Sequence, residues 1–267
     1  MFLLSSIVIV LLFILCITVP FLSFLLPVYK IKKMSSLSIK ERLGVNILAM
    51  IMLGFLDPIF LVMYLGFFIV IELLYYYFKN FRNNVGIFDR ITITTIVITA
   101  IMGLYSYFVR TDLNASVEIL KGIYSQKLSL SNVEIERIFK VLKENYIFIL
   151  FIYSGISTYF TYYILDRDSY ANWRISYKWT ILYIIGFAIN RFMKTDNYIG
   201  ENIIEIVKLI YVVYGIKIVY SILNKMFKFS IVNNIISIMA AIMMPNIIFI
   251  IGALKSFDII KVKITKK

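Results

Sequence analysis

The apolar positions of the chain fall in long uninterrupted runs, not in the alternation of a half-buried strand. Leu3 to Val28 carries no charge and exceeds the roughly 20 residues that a hydrocarbon layer of about 30 Å requires. It is predicted to be a first transmembrane helix, bent or ended by Pro20 and Pro27 near Tyr29. The segment lacks the basic start and small-residue cleavage site of a signal peptide. Lys30, Lys32, Lys33, Lys40 and Arg42 then form a polar connector, and Leu43 to Leu56 is too short to cross comfortably alone. Asp57-Pro58 breaks the run, with Asp57 expected to cap the next helix and Pro58 to occupy its first position. Residues 58 to 78 are uncharged apart from Glu72, so 43 to 78 makes either two tight crossings or a hairpin that enters part of the bilayer.

Further along, Ile91 to Val109 and Asn145 to Leu165 are uncharged and long enough to span. Trp179 to Asn190 is a shorter run, Ile206 to Leu223 carries Lys208 and Lys217, and Phe229 to Leu254 is charge-free and expected to kink at Pro245. These runs far exceed the alternating segments of about 10 residues expected of a barrel. The pattern predicts an all-α polytopic transmembrane bundle of seven or eight spans, forming one integral membrane domain over residues 1–267. Its polar interruption, 110–144, reads as an amphipathic extramembrane insertion. There Ser131 and Glu134 have the spacing of a capping box, and Ile135, Ile138, Phe139 and Leu142 share one helical face. Glu136, Arg137, Lys140 and Glu144 line the other face, with i,i+4 opposite-charge pairs expected. A lid over a pocket and a helix lying on the bilayer surface both fit this pattern.

Composition agrees with the pattern. Hydrophobic residues make up 61% and charged residues 16%, whereas soluble domains average about 45–50% and 25%. The excess of 28 Lys+Arg over 15 Asp+Glu is spread over short clusters flanking the runs, which argues against a nucleic-acid groove. In an eight-span arrangement the basic residues divide equally between the two sides. A single net crossing by 43–78 would concentrate them on the cytoplasmic side instead. The chain has no His and one Cys, Cys16, which excludes imidazole-based catalysis, His-ligated metals and intrachain disulfides. Phosphate-binding loops, dinucleotide fingerprints and paired intramembrane aspartates are absent. A non-enzymatic protein without cofactor is therefore expected, and a membrane glycan or lipid transferase using carboxylates and basic residues is the weaker alternative.

Ionisable groups inside a membrane are costly and mark candidate sites. Glu72 and Lys217 are the two deepest charges by sequence, and they are expected to pair with each other structurally, to snorkel to opposite interfaces, or to form a substrate or proton site. Asn246, beside the carbonyl freed by Pro245, is the third candidate for a small-molecule-binding position. The clusters Tyr75-Tyr76-Tyr77 and Tyr159, Tyr162, Tyr163 read as interfacial belts or as a stacking platform.

The stretch YFTYYILDRDSYANWRISYKWTILYIIGFAI, Tyr159 to Ile189, resembles the YybS-like family of polytopic bacterial membrane proteins. Its motif residues are Asn172, Trp173 and Arg174, followed by Ser176 where the family has Pro. Tyr211 to Ile216 with Gly215, and Gly252 to Asp258, are similar to the family's last two spans, Tyr214 replacing a Gln. Residue-level matching covers about the last 110 residues. The resemblance implies a protein of the bacterial cytoplasmic membrane, distantly similar to the substrate-binding subunits of energy-coupling factor transporters. On that reading the partners are the lipid bilayer, a small-molecule ligand, and a separate coupling subunit with its ATPase, and no nucleic acid. Trp173 and Arg174 serve equally as an interface anchor. A non-catalytic scaffold, docking another membrane protein through 114–144, is the alternative.

Overall fold

The structure, a computed structural model, describes residues 2–127, 131–192, 198–227 and 229–257. Asp258 lies outside them. The regular elements among the described residues are all helical: α1 Phe2–Thr18, α2 Leu25–Lys33, α3 Ile39–Leu56, α4 Pro58–Phe81, α5 Ile87–Phe108, α6 Arg110–Lys127, α7 Asn132–Glu144, α8 Tyr146–Leu165, α9 Trp179–Phe192, α10 Ile199–Met226, α11 Ser230–Met243 and α12 Pro245–Ser256. Four of these, α4, α5, α8 and α10, are long and apolar enough to cross a membrane, and the pair α11–α12 makes a fifth if the bent pair is one span. Length and composition thus give four or five spans where the hydropathy pattern predicts seven or eight. The difference arises where runs are broken or charged. Both α1 and α9 are apolar but short, and α3 opens on Lys40, Glu41 and Arg42.

Proline accounts for the first break. Pro20 keeps Val19 out of the helical region (φ −125°, ψ 87°) and starts a 3₁₀ turn, Pro20–Leu22, so the run Leu3–Val28 is not one helix. Pro27 does not end a helix. It occupies the third position of α2, where the missing N–H would have had no intrahelical partner. Asp57 behaves as expected: its N–H closes α3 on the Leu53 carbonyl at 2.9 Å. Its Oδ1 accepts from the Ile59 N–H at 2.7 Å, with Pro58 opening α4. The kink expected at Pro245 is a break of 110° between α11 and α12.

Backbone contacts divide the chain into two compact units, Met1–Val85 with Arg90–Arg167 and Gly86–Asp89 with Asp168–Lys267. Hydropathy reports which segments tolerate apolar surroundings, not which of them share a core. In the first unit α1 packs on α3, and α2 on α4 and α8. Its core includes Ile9, Phe13, Leu26, Leu53, Tyr64, Phe67, Phe68 and Ile98. Phe13 sits edge-on to Phe60, Tyr64 and Phe68 with centroids 5.6, 6.0 and 5.6 Å away. In the second unit α10 packs against α9, α11 and α12.

Within 110–144 the described residues form the helices α6 and α7 of the first unit, which pack on each other. The capping box is present: the Glu134 N–H donates to Ser131 Oγ at 3.3 Å and the Ser131 N–H to Glu134 Oε2 at 2.9 Å. The expected i,i+4 pairing is realised at Lys140–Glu144, 3.7 Å, while Glu136 turns instead toward Lys121 of α6 at 3.8 Å. Hydrogen bonds from the Ser131 hydroxyl and N–H hold the Glu134 carboxyl below its ordinary range. A depressed folded-state value contributes stability above the unfolded value and loses it as pH falls through the folded one. Amide protection over 132–144, measured by hydrogen exchange, should therefore fall below about pH 4, and Glu134→Gln should remove that dependence.

Candidate functional site

In the first unit the polar centre is an ion pair. Lys30 Nζ lies 2.7 Å from Glu72 Oε2, with the two side chains 0% and 10% exposed. The ammonium also stands over the Tyr64 ring, 4.7 Å from its centroid, and the Tyr64 hydroxyl donates to Asn46 Oδ1 at 2.9 Å. Three helices therefore contribute: α2 supplies the cation, α4 the carboxylate and aromatic ring, and α3 the amide.

Helical phase explains how Tyr64 and Glu72 meet one ammonium. Eight residues of regular α-helix, at about 100° each, leave two side chains about 80° apart. Residues Tyr64–Ile69 instead form a π-helical turn. The one-residue widening of such a turn takes out about 100° of rotation and brings the two positions nearly into line. No charge pattern in the sequence signals this turn.

In the second unit the centre is Lys217, 3% exposed on α10. Its ammonium donates to the Trp173 carbonyl at 2.6 Å and lies 3.3 Å from the Ala171 carbonyl, with the Tyr170 ring 5.0 Å away. Both carbonyls belong to the connector between α8 and α9, which is irregular from Trp173 to Ser176. Asp89 holds the same connector, its Oδ1 accepting from the Ser176 N–H at 2.9 Å and from Trp179 Nε1 at 2.8 Å. A third anchor is the Tyr211 hydroxyl, 2.9 Å from Thr180 Oγ1 and 3.3 Å from the carbonyls of Ser176 and Tyr177.

Of the residues singled out by sequence, Lys217 and Trp173 meet, whereas Glu72 and Lys217 do not pair: each finds its partner within its own unit. Asn246 is exposed in the first turn of α12. Trp173 is 2% exposed and donates its indole N–H to Ser169 Oγ at 2.9 Å, so it is a core residue and no interface anchor. Asn172 and Arg174 are exposed.

Gly215 and Gly252 face each other where α10 crosses α12. A Cβ on Gly252 would strike the Tyr211 carbonyl, and one on Gly215 the Ile248 carbonyl. Small residues at such crossings let backbones approach closely. Sequence reading missed a second crossing of this kind, Gly186 of α9 against Gly200 of α10, where a Cβ on Gly200 would lie 2.9 Å from the Gly186 carbonyl. It also missed Lys30, Tyr64, Asp89 and Tyr211. The available signal for Lys30 was its place four residues after Leu26 on α2, which puts it on the buried face.

No protein-family model matches the chain, and neither a curated protein nor a solved structure matches it.

Removing one member of a buried pair leaves an uncompensated charge, at a cost of about 3–5 kcal/mol. Glu72→Gln or Lys30→Met alone should therefore lower thermal stability strongly, and Lys30→Met combined with Glu72→Leu should recover most of the loss in a double-mutant cycle. Gly252→Ala should cost about 1–3 kcal/mol through overpacking. Gly44→Ala and Gly103→Ala, whose added Cβ meets nothing within 4 Å, should leave the melting temperature unchanged or raise it.

Proposed function

We propose that the chain is a multi-pass protein of the bacterial cytoplasmic membrane, of transporter type, that binds a small polar solute at the Lys30–Glu72 centre. The observation that supports this reading is the ion pair itself: two charges held among apolar side chains, spanned by three helices and flanked by a π turn. Buried charges cost several kcal/mol and are uncommon without a role, and π turns are frequent at functional sites. A site offering both signs suits a solute that carries both an amino and a carboxyl group, or one that exchanges a proton with the pair. If α1 and α9 cross as well, the five spans become seven, within the range the hydropathy predicts. The resemblance of Asn172–Arg174, Gly215 and Gly252 to the YybS-like family supports the same class, and coupling to ATP would then require separate subunits.

A second reading, a scaffold docking a membrane partner, draws on the helices α6 and α7. Ile138, Val141 and Leu142 are exposed on α7 at 48%, 51% and 46%, whereas Ile135 is buried and unavailable.

Solute binding to the folded state raises the melting temperature. A metabolite screen on the purified protein should yield a ligand that does so, and the shift should vanish in the folded Lys30→Met/Glu72→Leu variant. A shift that survives in that variant places the site elsewhere. Retention of a co-purifying partner after Ile138, Val141 and Leu142 are made polar removes the second reading.

A further inference from the structure

Within the first unit, α5 and α8 bury a column of hydroxyls that the Lys30–Glu72 centre does not use. On α5 these are Thr92, Thr94, Thr95 and Thr99, and on α8 Ser154, Ser157, Thr158 and Thr161, each 6% exposed or less. The helices run antiparallel along this seam. Thr99 Oγ1 meets Ser154 Oγ at 2.9 Å, and five residues earlier on α5 the Thr94 hydroxyl neighbours that of Tyr162, eight residues later on α8. Several members are satisfied in the ordinary way by the carbonyl one turn back: Thr95 by Ile91 at 2.8 Å, Ser154 by Leu150 at 2.7 Å and Thr161 by Ser157 at 2.7 Å.

Ser157 Oγ and Thr158 Oγ1 are not. Both residues are 0% exposed, both oxygens lie without a hydrogen-bond partner among the described residues, and by register both fall between the two contacts that bound the seam. A buried hydroxyl left unsatisfied costs about 1–3 kcal/mol, and the hydroxyls of Thr94 and Tyr162 also lie without a partner among the described residues, so the seam calls for a guest with donors and acceptors. The seam is narrow, and a buried water makes about three hydrogen bonds to such groups.

We propose that the seam between α5 and α8 is a water-binding site, a short hydrated column inside the first unit bounded by Thr99–Ser154 at one end and Thr94–Tyr162 at the other. Past Tyr162 the column reaches Tyr75, whose ring stands 5.2 Å from that of Tyr162 and whose hydroxyl lies 3.5 Å from Asp166 Oδ1. Asp166 is the end at which water enters. The site is independent of the solute reading above, since no residue of the Lys30–Glu72 centre belongs to it.

Two measurements on the full chain test it. In a dry seam Thr158→Val removes an unsatisfied group and raises the melting temperature. In a hydrated seam it strips a water of a partner and lowers the melting temperature by on the order of 2–4 °C per kcal/mol lost. Second, with Cys16 replaced by Ala, the variants Ser157→Cys, Thr158→Cys and, as a dry control on α5, Ile98→Cys are exposed to silver ion in micelles and then alkylated in SDS. Silver is a small hydrated cation that a dry apolar core excludes. Faster silver blocking at Ser157→Cys and Thr158→Cys than at Ile98→Cys is the expected result. Blocking no faster than the control, or a raised melting temperature for Thr158→Val, overturns the proposal.

Discussion

An ammonium buried among apolar side chains is tolerated only when its hydrogens find acceptors, and Lys30 and Lys217 meet this demand by different means. Lys30 is matched by the opposite charge of Glu72 together with the face of Tyr64. Lys217 is matched by the backbone carbonyls of Trp173 and Ala171 and the face of Tyr170. Each solution fixes its surroundings. The first requires two residues of α4, out of phase in a regular helix, to point at one atom, and the π turn supplies the correction. The second requires a stretch of chain whose carbonyls are not already engaged in a helix, and the connector between α8 and α9 supplies it.

Irregular backbone away from water is stable only where neighbouring groups take up its donors and acceptors. Trp173 and Ile175 are buried while Asn172 and Arg174 are exposed, so solvent serves only part of the connector. Lys217 takes carbonyls, Asp89 takes the Ser176 N–H, and Tyr211 lies against the carbonyls of Ser176 and Tyr177. Lys217 and Tyr211 are six residues apart on α10, and Gly215 lies between them. The close crossing of α12 at Gly215 and of α9 at Gly200 holds α10 at fixed depth, and that depth decides whether its side chains reach the connector. Packing by the smallest residue and capping of an open strand of chain are thus one structural problem.

These relations mark the boundary of what the sequence makes legible. The candidate spans α5 and α8 follow from composition alone, and Asp57-Pro58 and Ser131–Glu134 from hydrogen bonds closed within a few residues. Gly215, Gly252, Trp173 and Lys217 were each identifiable as positions of note. That Gly252 meets Tyr211 and Lys217 meets Trp173 was not legible, because such contacts depend on how helices cross. Lys30 shows the limit most clearly. Read as one of several connector cations, it is the partner of Glu72, and the pairing turns on a local change of helical period that leaves no mark in residue type.

Each unit buries polar groups beside its apolar core and exposes large apolar side chains, unlike a water-soluble domain. Lys30, Glu72, Thr94, Ser157 and Thr158 lie inside the first unit, and Lys217, Asn202 and Asn233 inside the second, while Leu11, Ile47, Phe55, Ile184, Phe187 and Ile242 are exposed at 50% or more. In water this arrangement would forfeit hydrophobic free energy at every exposed Leu and Ile, at about 25 cal/mol per Å², and add desolvation costs at every buried hydroxyl. Against acyl chains the first penalty disappears, because lipid is as apolar as the side chains. Association of the helices then rests on close packing and on polar contacts between them. The glycine crossings of α10 and the interior ion pair, carbonyl anchors and hydroxyl seam are those two kinds of contact, set among the apolar core residues that fill each unit.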